Sequence, residues 1–146
     1  MDSPRPVEQR IADARQRLQD DVDAWVATTN GSRPWLVPLS FLWYGGHLLF
    51  ATSAKSPTCL NLGVVPRTRV ALGSSRDVVI VEGEAVVSLA STLTAAEVER
   101  YQAKLRSDPR TWADSVIRVT PARIQAWRQE NELSGRLLMR EKAWIA

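Results

Sequence analysis

Two turn signals, Asn30-Gly31 and Gly45-Gly46, flank a segment, Pro34–Tyr44, that reads as one long strand. Asn-Gly favours the left-handed backbone of a two-residue hairpin, and a glycine pair makes a second tight reversal. Strand-forming residues run from Val22 to Thr29 before the first turn and from His47 to Ala54 after the second. Three strands with such short connections must be antiparallel, because a parallel pair needs a crossover of roughly a dozen residues or more. The chain is therefore predicted to start its sheet as a meander, and the fold to be mainly β with peripheral helices.

Pro34–Tyr44 is apolar on both faces. Trp35, Val37, Leu39, Phe41 and Trp43 share one face; Leu36, Pro38, Ser40, Leu42 and Tyr44 share the other. A strand with one wet side would carry polar residues there. One face can fill a barrel interior, which leaves the other to a second subunit, a ligand or both. A sandwich strand covered by its own helices is the alternative. Pro38 has no N–H to give a ladder, so a flat ring could approach the backbone at that point.

From Phe50 to Val87 the pattern is strand, short helix, strand, turn, long strand. Ser56 is placed as an N-cap with Pro57 at the first helical position, and Pro66 stops the helix after about Val65. Arg67–Ser74 and Val78–Leu89 are the strands that follow. The start of this helix, with Ser56 and Thr58 beside Lys55, is an anion site of the kind a phosphate-bearing cofactor requires. Elsewhere, Pro6–Asp20 is a helix with Ile11, Ala14 and Leu18 on its buried stripe, within an N-terminal helical segment 1–20. Thr94-Ala95-Ala96-Glu97 is a capping box for a helix ending near Arg106. Ser115–Thr120 is a strand, extended by Ala122–Trp127 after a break at Pro121. Gln129–Ser134 is a polar turn closed by Gly135, and Arg136–Ala146 a last strand.

At 146 residues, without repeat or linker, the chain reads as a single domain, 1–146, able to bury a core without disulfides or metal. Its one cysteine, Cys59, forms no internal disulfide and is expected as a small buried thiol. No apolar run is long enough for a bilayer and no leader opens the chain, so a cytoplasmic protein without a membrane partner is expected. The net charge is +3, but the arginines are scattered among acids rather than set in a stripe, which argues against nucleic acid. Arg67 and Arg69, alternating on one strand, could meet a cofactor's charges or only water.

Familiar catalytic sets are absent: there is no GxGxxG, P-loop, HExxH or GxSxG. The single histidine, His47, starts a strand and is expected at the surface. Glu82 and Glu84 alternate on one strand and are expected to meet arginines across the sheet. An enzyme without an acid, base or nucleophile set works if a cofactor carries the chemistry.

The Trp35–Tyr44 strand, the Gly45-Gly46 turn, Phe50–Ser53, Asn61-Leu62, Arg76–Gly83 and Ala126–Trp144 together resemble the flavin and deazaflavin split-barrel group, the pyridoxamine-phosphate-oxidase-like proteins. The closest resemblance is to the actinobacterial branch that uses coenzyme F420, a hydroxylated deazaflavin. It implies a homodimeric split β-barrel of about six or seven mostly antiparallel strands. It also implies a hydride-transferring oxidoreductase acting between reduced F420 and a small or planar unsaturated substrate. The implied cofactor-binding residues are Val37, Pro38, Leu39, Thr52, Ser53, Lys55, Ser56, Pro57, Thr58, Asn61 and Arg76. The ring would lie against Val37–Leu39 and Thr52, and the charged tail near Lys55, Ser56 and Thr58. No catalytic side chain or metal ligand is implied.

One departure matters. In the flavin-phosphate members the matching serine is followed by basic residues that clamp the phosphate; here Pro57 and Thr58 follow Ser56. A dianionic FMN phosphate would lose two charge-assisted contacts. This favours the deazaflavin, whose tail charges Lys55, Arg67, Arg69 or Arg76 could meet. An FMN-dependent oxidase or reductase of the same fold is one alternative. A non-catalytic carrier of the cofactor, or of a tetrapyrrole such as biliverdin or heme, is the other.

Overall fold

A computed structural model describes residues 2–146. Met1, the first residue of the expected domain and of the segment 1–20, lies outside the described residues. The elements in chain order are α1 (Val7–Asp20), β1 (Asp23–Thr29), β2 (Pro34–Ser40), β3 (Leu42–Tyr44), β4 (His47–Thr52), α2 (Pro57–Val64), β5 (Arg67–Ser74), β6 (Asp77–Leu89), α3 (Ala95–Leu105), β7 (Ser115–Trp127), β8 (Leu137–Arg140) and β9 (Ala143–Trp144).

The strands form one sheet in the order β2-β1-β5-β6-β7-β4-β3, with β8 paired to β7 and β9 to β8. Every pairing is antiparallel. The two ends of the seven-strand path, β2 and β3, are separated in sequence by Phe41 alone. The sheet must therefore curl until its edges meet, which is the mainly β, barrel-like architecture the meander predicted. The expected single strand Pro34–Tyr44 is thus two strands. Phe41, fully buried and packed against Phe50 with ring centroids 6.3 Å apart, carries the chain from one edge to the other.

Interior positions alternate along the strands, as a half-buried sheet requires. Val26, Leu48, Phe50, Val70, Val81, Ile117 and Ile124 fill the curl, and Ile11, Ala14 and Leu18 of α1 pack on the same cluster. A second cluster, with Leu42, Leu49 and Val116 beneath Val98 and Tyr101, seats α3. Its Thr94–Glu97 capping box forms as read.

Asn30-Gly31 lies in the hairpin turn between β1 and β2 as read. Thr29 pairs with Pro34, and the Asn30 side-chain oxygen accepts from the N–H groups of Ser32 and Arg33 at 2.8 and 2.9 Å, making a four-residue loop. Two further local expectations are corrected. Pro121 does not break its strand: β7 runs through it, and a bulge opposite Glu82/Gly83 absorbs the missing donor. Gly83 is needed there, because a Cβ would stand 2.2 Å from the Thr120 carbonyl oxygen. Arg136–Ala146 is a two-stranded hairpin, turning at Glu141 and Lys142 with φ of 51° and 68°.

On α1 a charged position is buried as well. Arg10 is buried and donates to the carbonyls of Ala126 and Glu132 at 2.9 and 2.6 Å. Beside it Arg5 grips the buried Glu132 carboxylate through Nε at 2.8 Å and Nη2 at 2.7 Å. These hydrogen bonds tie the N-terminal segment to the turn after β7.

Candidate functional site

β4 ends at Thr52, and the chain reverses over Ser53–Ser56 into α2. Three hydrogen bonds shape this turn. Ser56 N donates to the Ser53 carbonyl at 3.0 Å, Lys55 N to Ser53 Oγ at 3.2 Å, and Ala54 N to Asp114 Oδ1 at 2.7 Å. Ser56 caps α2 as expected, its Oγ accepting from Cys59 N at 3.2 Å, with Pro57 at the first helical position. Asn61 Nδ2 donates to Thr28 Oγ1 at 3.1 Å and so fastens α2 to β1.

The cap narrows the anion site. Pro57 has no N–H, Cys59 N is taken by Ser56 Oγ, and Leu60 N by the Ser56 carbonyl. Thr58 N–H is left as the first-turn donor without an intrahelical acceptor. Thr58 as a whole is buried, 3% exposed, so its hydroxyl does not join the surface site as expected. Lys55 is exposed and, among the described residues, has no carboxylate at ion-pair distance. Cys59 is buried, and burial pushes its thiol up, which fits a packing role.

A cleft of about 630 Å³ opens where β2 meets β4. Pro38 and Leu39 of β2 and Thr52 of β4 line it together, far apart in sequence but joined by the curl of the sheet. Ser53 and the turn bearing Lys55 follow directly from Thr52. Val37 lies next to these on β2, paired with Val26. Ten of the eleven expected residues thus fall on β2, the end of β4, the turn that follows it and α2. Arg76 does not join them. It sits in the β5–β6 turn beside Asp77, whereas Ala54 reaches Asp114, next to Leu89's end of β6. Twelve residue steps of β6, roughly 40 Å of strand, lie between.

The sequence did not single out Lys104 and Trp112, which complete this cleft. Lys104 lies one turn beyond buried Tyr101 on the packed face of α3, a position at which a lysine interrupts an apolar stripe. Burial pushes its ammonium down to about 8.

Two other concave regions are distinct from this one. On the outer sheet face, a cleft of about 580 Å³ is lined by Arg67, Arg69 and Arg123 with Glu82 and Glu84. Arg69 pairs with Glu82 across the strands as predicted, and Arg67 stands opposite Glu84 in register. The other lies by the Gly45-Gly46 turn, where His47 is exposed with Nδ1 2.9 Å from the Gly45 carbonyl. There the Arg118 guanidinium offsets the burial of Glu97 and holds its carboxyl below the usual range. Among the described residues no cluster of metal-ligating side chains is present, and no helix is long and apolar enough to cross a membrane.

A curled antiparallel sheet closed edge to edge at Phe41, with a capped helix and a cleft beside its edge strand, defines a split-barrel domain. The sequence profile of the pyridoxamine 5'-phosphate oxidase family matches residues 12–128, and the chain belongs to that family. No curated protein matches it. Solved structures share the fold at low identity. An F420 reductase is 16% identical, with TM-score 0.61 over 75% of this chain and 94% of that one. General Stress Protein 26 from Bacillus anthracis str. Sterne is 18% identical, with TM-score 0.62 over 82% and 94%. A heme binding protein from Mycobacterium smegmatis is 18% identical, with TM-score 0.63 over 91% of this chain and 57% of that one.

Proposed function

We propose that the protein binds coenzyme F420 and transfers hydride between the reduced cofactor and a small or planar unsaturated substrate. The observation that carries this reading is the reduced anion site: Pro57 has no N–H, the Cys59 and Leu60 N–H groups are taken, and what remains to meet a charge is the exposed Lys55 ammonium with Thr58 N–H, on a residue only 3% exposed, behind it. A phosphomonoester such as that of FMN carries close to two negative charges and three terminal oxygens. A phosphodiester, as in the deazaflavin tail, carries one charge and two such oxygens. One N–H and one ammonium match the second better.

When bound, the cofactor supplies the hydride chemistry. The chain's own residues bind and orient. Lys55 and Thr58 N–H hold the tail, Pro38 and Leu39 offer an apolar wall for the ring, and Thr52 offers a hydroxyl at the cleft's edge.

A second copy of the chain fits this reading. Trp25, Leu36 and Val86 are 50%, 59% and 62% exposed, and Leu36 lies on the edge strand next to the cleft. Covering that face in a homodimer removes apolar surface from water and closes the cleft on its open side.

The test is reoxidation of reduced F420 in the presence of a panel of quinones and conjugated enones, with and without the protein. Acceleration of one class of acceptor supports the oxidoreductase. Tight binding with no acceleration by any acceptor identifies a carrier instead.

A further inference from the structure

Lys104 lines the cleft shared by Pro38, Leu39 and Thr52, yet its ammonium is closed off from solvent and has no hydrogen-bond partner. It rests 4.0 Å from the centre of the Phe41 ring. The charged and titratable groups that face it come from three elements. Asp20 and Asp21, at the end of α1, act on it through space, and neither is at ion-pair distance. Asp23 of β1 is engaged by Ser40, whose Oγ donates to Oδ1 at 2.7 Å. Tyr101, on α3 itself, is a buried phenol pushed up by burial. An unpaired buried ammonium is costly, and the face of a phenylalanine returns only part of that cost.

The stem of a lysine turns freely, and here no hydrogen bond anchors its head. Moving the ammonium from Phe41 into the cleft sacrifices one aromatic contact and part of the attraction from Asp20 and Asp21, but no hydrogen bond. The rest of the cleft states what it would meet there. Trp112 is 56% exposed, its ring held by the Nε1 hydrogen bond to Ser107 Oγ at 3.3 Å. Leu39, Ala51 and Leu105 give an apolar lining. Asp23 also lines the cleft, its carboxylate engaged by Ser40. A flat wall, apolar side chains and one cation without a partner suit a planar conjugated ligand with a single anionic oxygen.

We infer that Lys104 is the counter-ion for the ligand of this cleft: its ammonium leaves Phe41 and pairs with an anionic oxygen on the edge of a flat conjugated molecule. The inference rests on the location of the site given above. It makes Lys104 a specificity-determining residue, selecting ligands with an ionisable ring hydroxyl or carboxylate over those with an apolar edge. A hydroxylated deazaflavin is of the first kind. The cation is present at neutral pH and is lost as pH rises past its lowered titration point, so the selectivity fades in alkaline solution.

The probe for the test is anilinonaphthalene sulfonate, a flat conjugated anion. It is titrated by fluorescence into the full-length protein and into Lys104→Met and Lys104→Arg. At about pH 7 the methionine variant should bind roughly tenfold more weakly, the loss of one charged contact. It should melt no lower than the wild type, because a buried unpaired charge has been removed. At about pH 9.5 the wild type should fall to the level of the methionine variant, while the arginine variant, which does not deprotonate, keeps its affinity. Equal probe affinity in all three proteins at both pH values overturns the inference. F420 is titrated in parallel: probe binding that depends on Lys104 without F420 binding upholds the counter-ion and sinks the cofactor reading. F420 binding indifferent to Lys104→Met does the reverse.

Discussion

The Asp114 carboxylate accepts the Ala54 backbone N–H at 2.7 Å and thereby holds the turn that carries Lys55. Asp114 precedes β7 and also accepts Ala90 N through its carbonyl at 2.9 Å, so the turn is anchored to the frame of the sheet. Asp114→Ala should cost about 1 kcal/mol in urea unfolding, the usual worth of such a hydrogen bond. It should also weaken F420 binding by releasing Lys55 and Thr58 N–H from their mutual geometry. Asp114→Asn keeps an acceptor and should lie near the wild type in both measurements.

Lys55 is exposed, so its loss should leave the unfolding midpoint unchanged. Its ammonium supplies one charged contact to the tail, worth about 1.5–3 kcal/mol, or roughly ten- to a hundredfold in affinity. Fluorescence titration of F420 into Lys55→Ala reads that loss directly. His47→Ala, in a different cleft, should be silent. The opposite pattern, His47→Ala abolishing binding and Lys55→Ala silent, places the cofactor by the Gly45-Gly46 turn instead.

Acid sensitivity should centre on Glu132. Its hydrogen bonds from Arg5, aided by the Arg128 backbone N–H at 2.8 Å, hold its carboxyl down to about 2 from an ordinary 4.5. A depressed folded-state value stabilises the protein above the unfolded value and loses that contribution as pH falls through the folded one. The window is therefore from about 4.5 down to about 2. The amount at stake is on the order of 3 kcal/mol. Thermal melts of Glu132→Gln and wild type should differ most near neutral pH and converge at the acid end. A constant gap across that window contradicts the assignment.

What was legible in the sequence was what a few neighbouring residues decide. Ser56-Pro57, the Thr94–Glu97 box and the Gly45-Gly46 turn each carry their chemistry within one turn of chain, and each forms as read. The break at Phe41 was hidden because alternation does not change there; only the closure of the sheet makes the chain change edges. The bulge opposite Gly83 was hidden because it depends on the register between β6 and β7. The burial of Arg10 was hidden because the carbonyls that receive it lie 116 and 122 residues away. Lys104 escaped notice for the same reason: its burial is created by β2, β4 and Phe41, not by its own helix. The candidate site was proposed from a segment, Thr52 to Asn61, and a strand, Val37–Leu39. That Thr52 shares a cleft with Pro38 and Leu39 while Arg76 stands apart follows from topology.

The exposed outer face predicts an oligomer. Light scattering at micromolar concentration should give twice the chain mass. Leu36→Glu, which sets a charge amid Trp25 and its neighbours on that face, should give the monomer with its fold intact. A wild-type monomer leaves Trp25, Leu36 and Val86 without a cover and counts against the dimer.

The most direct test of the central claim is a side-by-side fluorescence titration of the purified protein with F420 and with FMN under identical conditions. The arrangement at α2, with Pro57 and Thr58 after Ser56 and a single free first-turn N–H beside Lys55, predicts that F420 binds at least tenfold more tightly, about 1.4 kcal/mol. Tighter binding of FMN, or binding of neither, contradicts the account.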